Sequence, residues 1–275
     1  MCIRDRPYQM LDDAGESVVM RPDLTLPLAR LLSTTSIVPP VQWWYVGDIF
    51  RVKKSLSGTY NQITQAGIEL IGYRSLKAEW ACLSEAGKIC RTLGLTHLTL
   101  ELSDAQFVPQ ILRTLQLNDA AADAFQTAFF AKELSTYQDL IAPLATNPLY
   151  PFLQQWPWLF GDSETIFAEL KRLLPSNVIT DRLAPLQQTV AFLKDQFPEL
   201  RVTIDLTSRP PQSYYTGIFF HAYVDGGHQY LFSGGRYDKL LASFQQELLP
   251  AVGLAFDIDA VTDQLPNAPD QPLTF

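Results

Sequence analysis

Hydrophobic and polar positions alternate along two arms of the stretch 43–72, WWYVGDIFRVKKSLSGTYNQITQAGIELIG. The first arm is rich in aromatic and β-branched residues, and the second alternates in the two-residue period of a strand. The polar segment KKSLSGT, which contains Gly58, separates the two arms as a hairpin loop would. The pattern therefore predicts a β-hairpin, and the candidate chemistry of the chain is concentrated on it.

Strand geometry divides the second arm into two faces. Gln65, Gly67 and Glu69 share one face with Ile63 and Ile71. An amide and a carboxylate thus flank a glycine, which leaves open space between them. This face is suited to be the floor of a site for a small polar ligand.

The same alternation aligns four residues of the first arm, Tyr45, Gly47, Ile49 and Arg51. Across the ladder, Arg51 would bring a guanidinium beside the amide and the carboxylate. An ordinary amphipathic hairpin with solvated polar residues would show a similar pattern. The residues of the hairpin alone leave both interpretations open.

The segment before the hairpin predicts two strands and a helix. PYQMLDDAGESVVMRPD resembles a strand, a turn and a second strand, and RPDLTLPLARLLS carries leucines at helical spacing. Asp23 or Thr25 would cap the start of this helix. The two residues are either a cap alone or part of a site at the helix start. The opening MCIRDR has no pattern, so we expect that a natural N-terminal segment is missing.

Beyond the hairpin, the sequence SLKAEWACLSEAGKICRTLGL predicts an amphipathic helix and HLTLEL a strand. Residues 105–198 are then helical in period and rich in alanine and leucine, without a constellation of polar residues. This stretch is predicted to be a helical insert or subdomain.

Strand patterns return from Arg201 in RVTIDLTS, in SYYTGIFFHAYVDGGHQYLF with a turn at 225–227, and in LPAVGLAFDIDAV. A helix from Arg236 to Phe244 is predicted between strands. The pair Gly234 and Gly235 before it would be either a turn or a place where the backbone approaches a ligand closely.

Composition narrows the class of protein. A chain of 275 residues, 47% hydrophobic and 18% charged, suffices for one large domain or two small ones. The formal charge of -8 opposes nucleic acid as a main partner, because phosphate binding relies on clustered cations. No apolar run reaches the roughly 18 residues of a membrane span, and we expect no membrane association and a cytoplasmic location.

No metal or cofactor is predicted. Three cysteines, Cys2, Cys82 and Cys90, form no CxxC pair, and the three histidines show no metal-ligand spacing. The phosphate-binding and acyl-transfer motifs GxGxxG, GxxxxGK and GxSxG are missing from the sequence.

Five blocks, in order, resemble the catalytic domain of class II histidyl-tRNA synthetases: MRPDLTLPLAR, GDIFRVKK with ITQAGIELIG, SYYTGIFFHAY, SGGRYDKL and AVGLAFDIDAV. The resemblance implies an α+β fold, with a mostly antiparallel sheet of about six strands flanked by helices. It implies one synthetase-like domain over 7–275 that includes the insert 105–198. The family's dimerisation element, motif 1, would lie upstream of residue 7.

The resemblance also implies a histidine pocket. Asp23, Thr25 and Gln65 match the group that holds the α-ammonium, Arg51 faces the carboxylate, and Glu69 with the pair Tyr214 and Tyr215 lies at the imidazole. A zwitterion with a polar ring requires groups of these kinds. Asp23 replaces the usual glutamate and reaches one methylene less far. Arg209 lies near the family's second arginine, but one extra residue separates it from the tyrosines.

The departures from the family fall on ATP binding. An acid of motif 2 is replaced by Lys53, the arginine that grips the γ-phosphate in motif 3 by Ala260, and a nearby glycine by Asp257. Losing that arginine and adding an anion would weaken phosphate binding. We therefore expect no adenylate chemistry and no catalytic residues.

The chain ends shortly beyond motif 3, and no anticodon-binding domain is expected. These features are similar to those of the regulatory subunits of ATP phosphoribosyltransferase. That resemblance implies a non-catalytic subunit with three kinds of partner: the short-form catalytic subunit, free histidine as effector, and a second copy in a dimer. Two alternatives stay open, a truncated synthetase or synthetase-derived amino-acid ligase, and a scaffold whose pocket is vestigial.

Overall fold

The protein is described by a computed structural model that covers residues 8–52, 61–175, 178, 180–225, 227, 229–244 and 248–265. The strands in these ranges are β1 (Gln9–Leu11), β2 (Ser17–Val19), β3 (Val41–Phe50), β4 (Gln62–Ile71), β5 (Leu98–Asp104), β6 (Phe160–Asp162), β7 (Arg201–Asp205), β8 (Ile218–Val224), β9 (Phe232–Arg236) and β10 (Ala251–Asp257).

The α-helices in the same ranges are α1 (Thr25–Thr34), α2 (Lys77–Thr92), α3 (Phe107–Thr114), α4 (Asp119–Ala131), α5 (Leu134–Ile141), α6 (Tyr150–Gln155), α7 (Ser163–Leu173), α8 (Thr180–Gln196) and α9 (Ile258–Thr262). Short 3-10 turns cover Ala142–Leu144, Trp156–Trp158 and Leu241–Phe244. Of these helices, none is long and apolar enough to cross a lipid bilayer.

A single sheet of eight strands, in the order β3-β4-β10-β9-β8-β5-β7-β6, organises the chain. Every neighbouring pair is antiparallel except β5 and β7, which run parallel. The predicted α+β class is confirmed, although the sheet has two strands more than the approximate six that the resemblance implied. Strands β1 and β2 form a separate two-stranded sheet.

The predicted hairpin is confirmed as strands β3 and β4. Tyr45 lies opposite Gly67, and Gly47 lies opposite Gln65. Directly paired residues project on the same side of a sheet, so the polar face that the alternation predicted is present as one surface. The loop KKSLSGT lies outside the described residues.

The start of α1 is fixed by its own sequence. The Leu26 backbone N–H donates a hydrogen bond of 2.8 Å to Oδ1 of Asp23, which confirms Asp23 as a capping residue. The Thr25 hydroxyl points elsewhere, toward β4. Helix α1 lies over the polar face of the hairpin, where Ala29 and Leu32 are buried with Ile71 and Leu241.

The main core lies on the opposite side of the sheet. Leu100 and Leu102 of β5, Ile204 of β7 and Val252 of β10 are buried there, against α2, α8 and the helices between residues 107 and 173. Burying a leucine-sized side chain contributes about 1.5–3 kcal/mol, so this layer fixes the sheet as a rigid support.

The stretch 105–198 is helical as predicted, with one exception. Strand β6 pairs with β7, with Gly161 opposite Ile204, and it forms one edge of the main sheet. This stretch therefore shares the sheet and the core of the rest of the chain. Three residues are too few to show a periodic pattern, which is why the sequence did not indicate this strand.

The prediction of a helix from Arg236 to Phe244 is wrong. Gly234 and Gly235 lie inside β9, Arg236 is the last residue of that strand, and a 3-10 turn begins only at Leu241. A Cβ on Gly235 would lie 2.8 Å from the Cβ of Phe219, closer than such atoms approach. The glycines are needed because neighbouring strands pack tightly here, and not for a turn.

Candidate functional site

A polar cavity lies between α1, the hairpin and the segment before β8. Its empty space, the open mouth included, is about 410 Å³. It is lined by Asp23, Thr25, Tyr45, Arg51, Gln65, Glu69, Gln212, Tyr214, Tyr215, Ser233, Gly234, Tyr237, Gly253, Leu254 and Ala255.

Glu69 is the buried carboxylate of this cavity, with 2% of its surface exposed. The Thr25 hydroxyl donates a hydrogen bond of 2.7 Å to Oε1, and the Tyr237 hydroxyl donates to Oε2. Two donors from different elements therefore fix the orientation of the carboxylate. Each carboxylate oxygen can still accept a further hydrogen bond from a ligand.

Burial raises the pKa of Glu69 from 4.5 to about 7, and the charge of Asp23 adds to this rise. The hydrogen bonds from Tyr237 and Thr25 act in the opposite direction, because they favour the ionised form. Near neutral pH this carboxyl group can therefore either accept a hydrogen bond or donate one, and a cationic ligand would favour the ionised form.

Glycines make room for these side chains. A Cβ on Gly253 would overlap the carboxylate of Glu69, and a Cβ on Gly67 would overlap the ring of Tyr45. Gly253 lies opposite Glu69 in the pairing of β10 with β4. The missing side chain is therefore what allows a carboxylate to lie flat in the middle of the sheet.

Asp23 and Arg51 lie at the helix side of the cavity. Asp23 is 7% exposed, and its carboxylate caps α1 through Leu26. Arg51 Nε donates a hydrogen bond of 2.8 Å to the carbonyl of Pro22. The arginine thereby ties the end of β3 to the segment that carries Asp23 and Thr25, and its guanidinium still lines the cavity.

Four phenols surround the carboxylate: Tyr45, Tyr214, Tyr215 and Tyr237. Burial raises the pKa of each above its ordinary value, with the charge of Glu69 contributing in every case. Tyr214 contacts the rings of Tyr215 and Tyr237 edge to face, at 5.4 and 5.8 Å between centroids. The phenols therefore stay neutral, so each can donate a hydrogen bond to a polar ring and accept one from it.

All seven residues assigned from the sequence line this one cavity: Asp23, Thr25, Arg51, Gln65, Glu69, Tyr214 and Tyr215. Their convergence is a property of the structure, whereas their role in histidine binding stays a prediction. The sequence analysis missed Tyr237 and Gly253 as lining residues. Both residues lie in the blocks that carry the family resemblance, SGGRYDKL and AVGLAFDIDAV.

Arg209 does not line this cavity. It lies beside a neighbouring one, where its guanidinium is 5.8 Å from the ring centroid of Phe130 on α4. The two cavities share Gln212 and Tyr215. Arg209, which one extra residue separates from the tyrosines, therefore contacts Phe130 of α4 instead of lining the cavity around Glu69.

A buried ion pair holds the segment that carries Tyr237. Arg236 forms two hydrogen bonds with Glu79 of α2, from Nε at 2.6 Å and from Nη2 at 2.5 Å. The side chains are 11% and 3% exposed. The Arg236 carbonyl also accepts a hydrogen bond of 2.8 Å from the Thr216 N–H. The pair therefore positions two walls of the cavity, Tyr237 and the segment that ends in Thr216.

The two described departures from the synthetase pattern have structural roles. Asp257 Oδ1 accepts a hydrogen bond of 2.9 Å from the Ala260 N–H and so caps α9. Ala260 is 2% exposed and belongs to the main core. Lys53, the third departure, lies outside the described residues. Among the residues that the structure describes, no cluster of His, Cys, Asp and Glu could hold a metal ion.

Comparison with known proteins agrees with this architecture. A family model described as histidyl-tRNA synthetase matches residues 3–261. The chain is 99% identical over 271 residues to the ATP phosphoribosyltransferase regulatory subunit of Lacticaseibacillus casei. The aligned region is 98% of this chain and 71% of the relative. It is 46% identical to the protein of that name from Lactiplantibacillus plantarum, over 93% of this chain and 67% of the relative.

Solved structures give the same result. A crystal structure of an ATP phosphoribosyltransferase regulatory subunit/histidyl-tRNA synthetase from Bacillus halodurans C has a TM-score of 0.82 at 25% identity, and covers 97% of this chain and 70% of its own. An ATP phosphoribosyl transferase (HisG:HisZ) complex from Thermotoga maritima has a TM-score of 0.71 at 16% identity, over 93% of this chain and 89% of that chain. At this identity the likeness supports a shared fold. The chain therefore belongs to the ATP phosphoribosyltransferase regulatory subunit family, within the proteins that share the histidyl-tRNA synthetase fold.

Proposed function

We propose that the protein is a histidine-sensing regulatory subunit that acts with a separate catalytic chain of ATP phosphoribosyltransferase. The observation that carries the proposal is the cavity built around Glu69. Its acid, guanidinium and phenol groups suit a zwitterion with a polar ring. Family membership supports the partnership with a catalytic chain, and the cavity supports free histidine as the effector.

The ligand chemistry follows from the positions of the groups. Asp23, Thr25 and Gln65 would hold the α-ammonium, and Arg51 would face the carboxylate. Glu69, which is buried and hydrogen-bonded at both oxygens by hydroxyl groups, would accept from a ring N–H of the imidazole. Tyr214 and Tyr215 would complete the ring pocket. Charge-assisted hydrogen bonds of this kind are the strong ones in a partly dehydrated site.

A non-catalytic role is favoured over a ligase by the structure around α9. The position of the phosphate-binding arginine is Ala260, whose side chain packs in the core, and Asp257 places a carboxylate at the start of the same helix. A bound nucleotide would meet an anion in place of a cation. The pocket for an amino acid is thus retained in a setting that does not favour ATP.

Two measurements test the proposal together. Calorimetric titration with L-histidine should give a saturable heat with a dissociation constant in the micromolar range, and L-alanine should give none. Histidine-dependent ATP–pyrophosphate exchange should be at background. Exchange above background would favour the amino-acid ligase, and the absence of histidine binding would favour a vestigial pocket on a scaffold.

Self-association is part of the proposal, and the edge strand β3 supports it. Trp44 and Val46 project on the same side of β3, with 79% and 64% of their surfaces exposed. Large exposed apolar side chains on an edge strand are typical of a protein interface. Trp44→Lys should lower the sedimentation coefficient if this face joins two copies, and an unchanged value would exclude this face.

A further inference from the structure

A second polar groove lies on the same face of the sheet as the cavity around Glu69. The strand pairing places residues in one row across the sheet, from Ala255 through Ser233, His221 and Glu101 to Thr203. Paired residues project on the same side, so the row leads from the first cavity to the far edge of the sheet. The groove is lined by Thr99, Glu101, Phe160, Gly161, Arg201, Thr203, Tyr223 and Asp225, and it shares no lining residue with the first cavity.

Thr203 supplies a buried hydroxyl without a partner. The residue is 7% exposed, and its Oγ1 receives or donates no hydrogen bond among the residues that the structure describes. Its neighbours Val202 and Ile204 project into the core, while Thr203 lines the groove. Buried polar atoms in native proteins are nearly always hydrogen-bonded, so this hydroxyl indicates a ligand.

Glu101 places a carboxylate next to that hydroxyl, because the two residues are paired between β5 and β7. Burial and the charge of Asp205 raise the pKa of Glu101 to about 7, and Lys132 opposes this rise. Lys132 is itself hydrogen-bonded to Thr207 through both the carbonyl and the hydroxyl, at 3.1 and 2.6 Å. His221, on the other side of Glu101, is buried with its pKa lowered to about 4 by desolvation, and supplies no cation near neutral pH.

The charges around the groove select the class of ligand. Glu101 and Asp225 are acidic, and Arg201 is the basic residue among the lining groups. The resulting excess of negative charge opposes a phosphate or a nucleotide and favours a cation. Asp225 accepts a hydrogen bond of 2.5 Å from the Thr99 hydroxyl, and Glu101 is the carboxylate that is paired with Thr203 across the strands.

The remaining wall of the groove is apolar. Phe160 of the edge strand is 55% exposed, and it projects on the same side of the sheet as Thr203, because it pairs with Asp205 of β7. A short carbon chain can therefore lie along the Phe160 ring. The Tyr223 hydroxyl also lines the groove and can accept a further hydrogen bond.

We propose that this groove binds a small organic cation that has one primary ammonium group and a short apolar chain. The ammonium group donates to the carboxylate of Glu101 and to the hydroxyl of Thr203, and the chain packs on Phe160. The site is separate from the cavity around Glu69, so the two ligands bind at once.

The test uses butylamine as the probe. Its binding is measured by saturation-transfer NMR at pH 8, where the amine and the Glu101 carboxylate are both charged. The neutral 1-butanol is the matched control ligand. Butylamine should bind the intact protein at least about tenfold more tightly than 1-butanol. Glu101→Gln should weaken butylamine binding by about tenfold, because a charged hydrogen bond is lost. Thr203→Val, which keeps the shape, should weaken butylamine and leave 1-butanol unchanged.

Glu85→Gln is the matched control variant, because it removes one carboxylate from an exposed part of α2. It should bind butylamine as the parent does. Melting temperatures establish that each variant is folded, and the Thr203→Val result decides the question if Glu101→Gln does not fold. Equal binding of butylamine and 1-butanol by the parent, or parent affinity for butylamine in a folded Thr203→Val variant, would overturn the proposal. Histidine titration of Glu101→Gln should match the parent.

Discussion

The hydroxyl of Thr25, the first residue of α1, donates a hydrogen bond of 2.7 Å to Oε1 of Glu69 in the middle of β4. This contact joins the start of a helix to the floor of the candidate site. The Tyr237 hydroxyl holds the other oxygen of the same carboxylate. Movement of α1 or of the Tyr237 segment would therefore reorient Glu69, and this gives ligand binding a direct mechanical connection to the surrounding elements.

Glu69→Gln should weaken histidine binding by roughly 10- to 150-fold, because a charged hydrogen bond of about 1.5–3 kcal/mol becomes a neutral one. Calorimetric titration at pH 8 measures the change. Glu85→Gln, an exposed charge removal on α2, should bind histidine as the parent does. A parent-like titration curve for Glu69→Gln would remove this residue from the histidine site.

Glu69 should also make folding stability depend on pH. Its pKa is raised in the folded state from 4.5 to about 7, so the folded protein binds this proton more tightly than the unfolded chain. The stabilisation is complete below about pH 4.5 and is lost as the pH rises to about 7. The free energy of unfolding of the parent should fall by about 3 kcal/mol more than that of Glu69→Gln over this range.

Urea unfolding at several pH values measures this dependence. Glu101 and Asp104 also have raised pKa values, to about 7 and about 6, but both residues are present in the two proteins. The difference between the two curves therefore isolates Glu69. Parallel curves would mean that the environment of this carboxyl group does not change its protonation on folding.

Gly253→Ala should abolish histidine binding and lower the free energy of unfolding by about 1–3 kcal/mol. The new Cβ would overlap the Glu69 carboxylate, which must then leave its two hydroxyl donors. Gly47→Ala is the matched control on the hairpin, because its Cβ would lie 3.4 Å from Leu24 Cδ1, an ordinary contact. Titration and urea unfolding of both variants provide the measurement, and equal behaviour of the two would contradict this account.

Arg51→Ala should raise the histidine concentration needed for half-inhibition of the assembled enzyme by about tenfold, with phosphoribosyl transfer unchanged when histidine is absent. The variant loses the group proposed to face the carboxylate and the hydrogen bond to the Pro22 carbonyl. The measurement is a steady-state assay of the complex with its catalytic chain over a range of histidine concentrations. Inhibition at the parent concentration would locate the sensor outside this cavity.

Glu79→Gln should lower the free energy of unfolding by about 1.5–3 kcal/mol, because the buried Arg236 loses its two charged hydrogen bonds to Glu79 and keeps the ion pair with Asp238 at 3.1 Å. The exposed pair of Glu85 with Lys88 provides the comparison, and Glu85→Gln should change stability little. Urea unfolding measures both. If the two variants lost the same stability, the Arg236 pair would not be the element that positions Tyr237.

Features that depend on near neighbours in the chain could be predicted from the sequence alone. The two-residue alternation placed Gln65, Gly67 and Glu69 on one face, because side chains in a strand must alternate. The spacing of Asp23 and the leucines after it determined where α1 begins, since a cap acts within three residues. The order of the five family blocks then determined the α+β fold.

The contact between Glu69 and Tyr237 could not be predicted from the sequence, because it depends on how remote segments pack. Tyr237 lies 168 positions away along the chain, and nothing local to either residue indicates their hydrogen bond. Gly234 and Gly235 have the composition of a turn, yet they lie in a central strand because the neighbouring strands β8 and β10 leave no room for a Cβ. Strand β6 likewise exists because β7 offers it a partner, and pairing across the sheet is fixed by packing between segments that are remote in sequence.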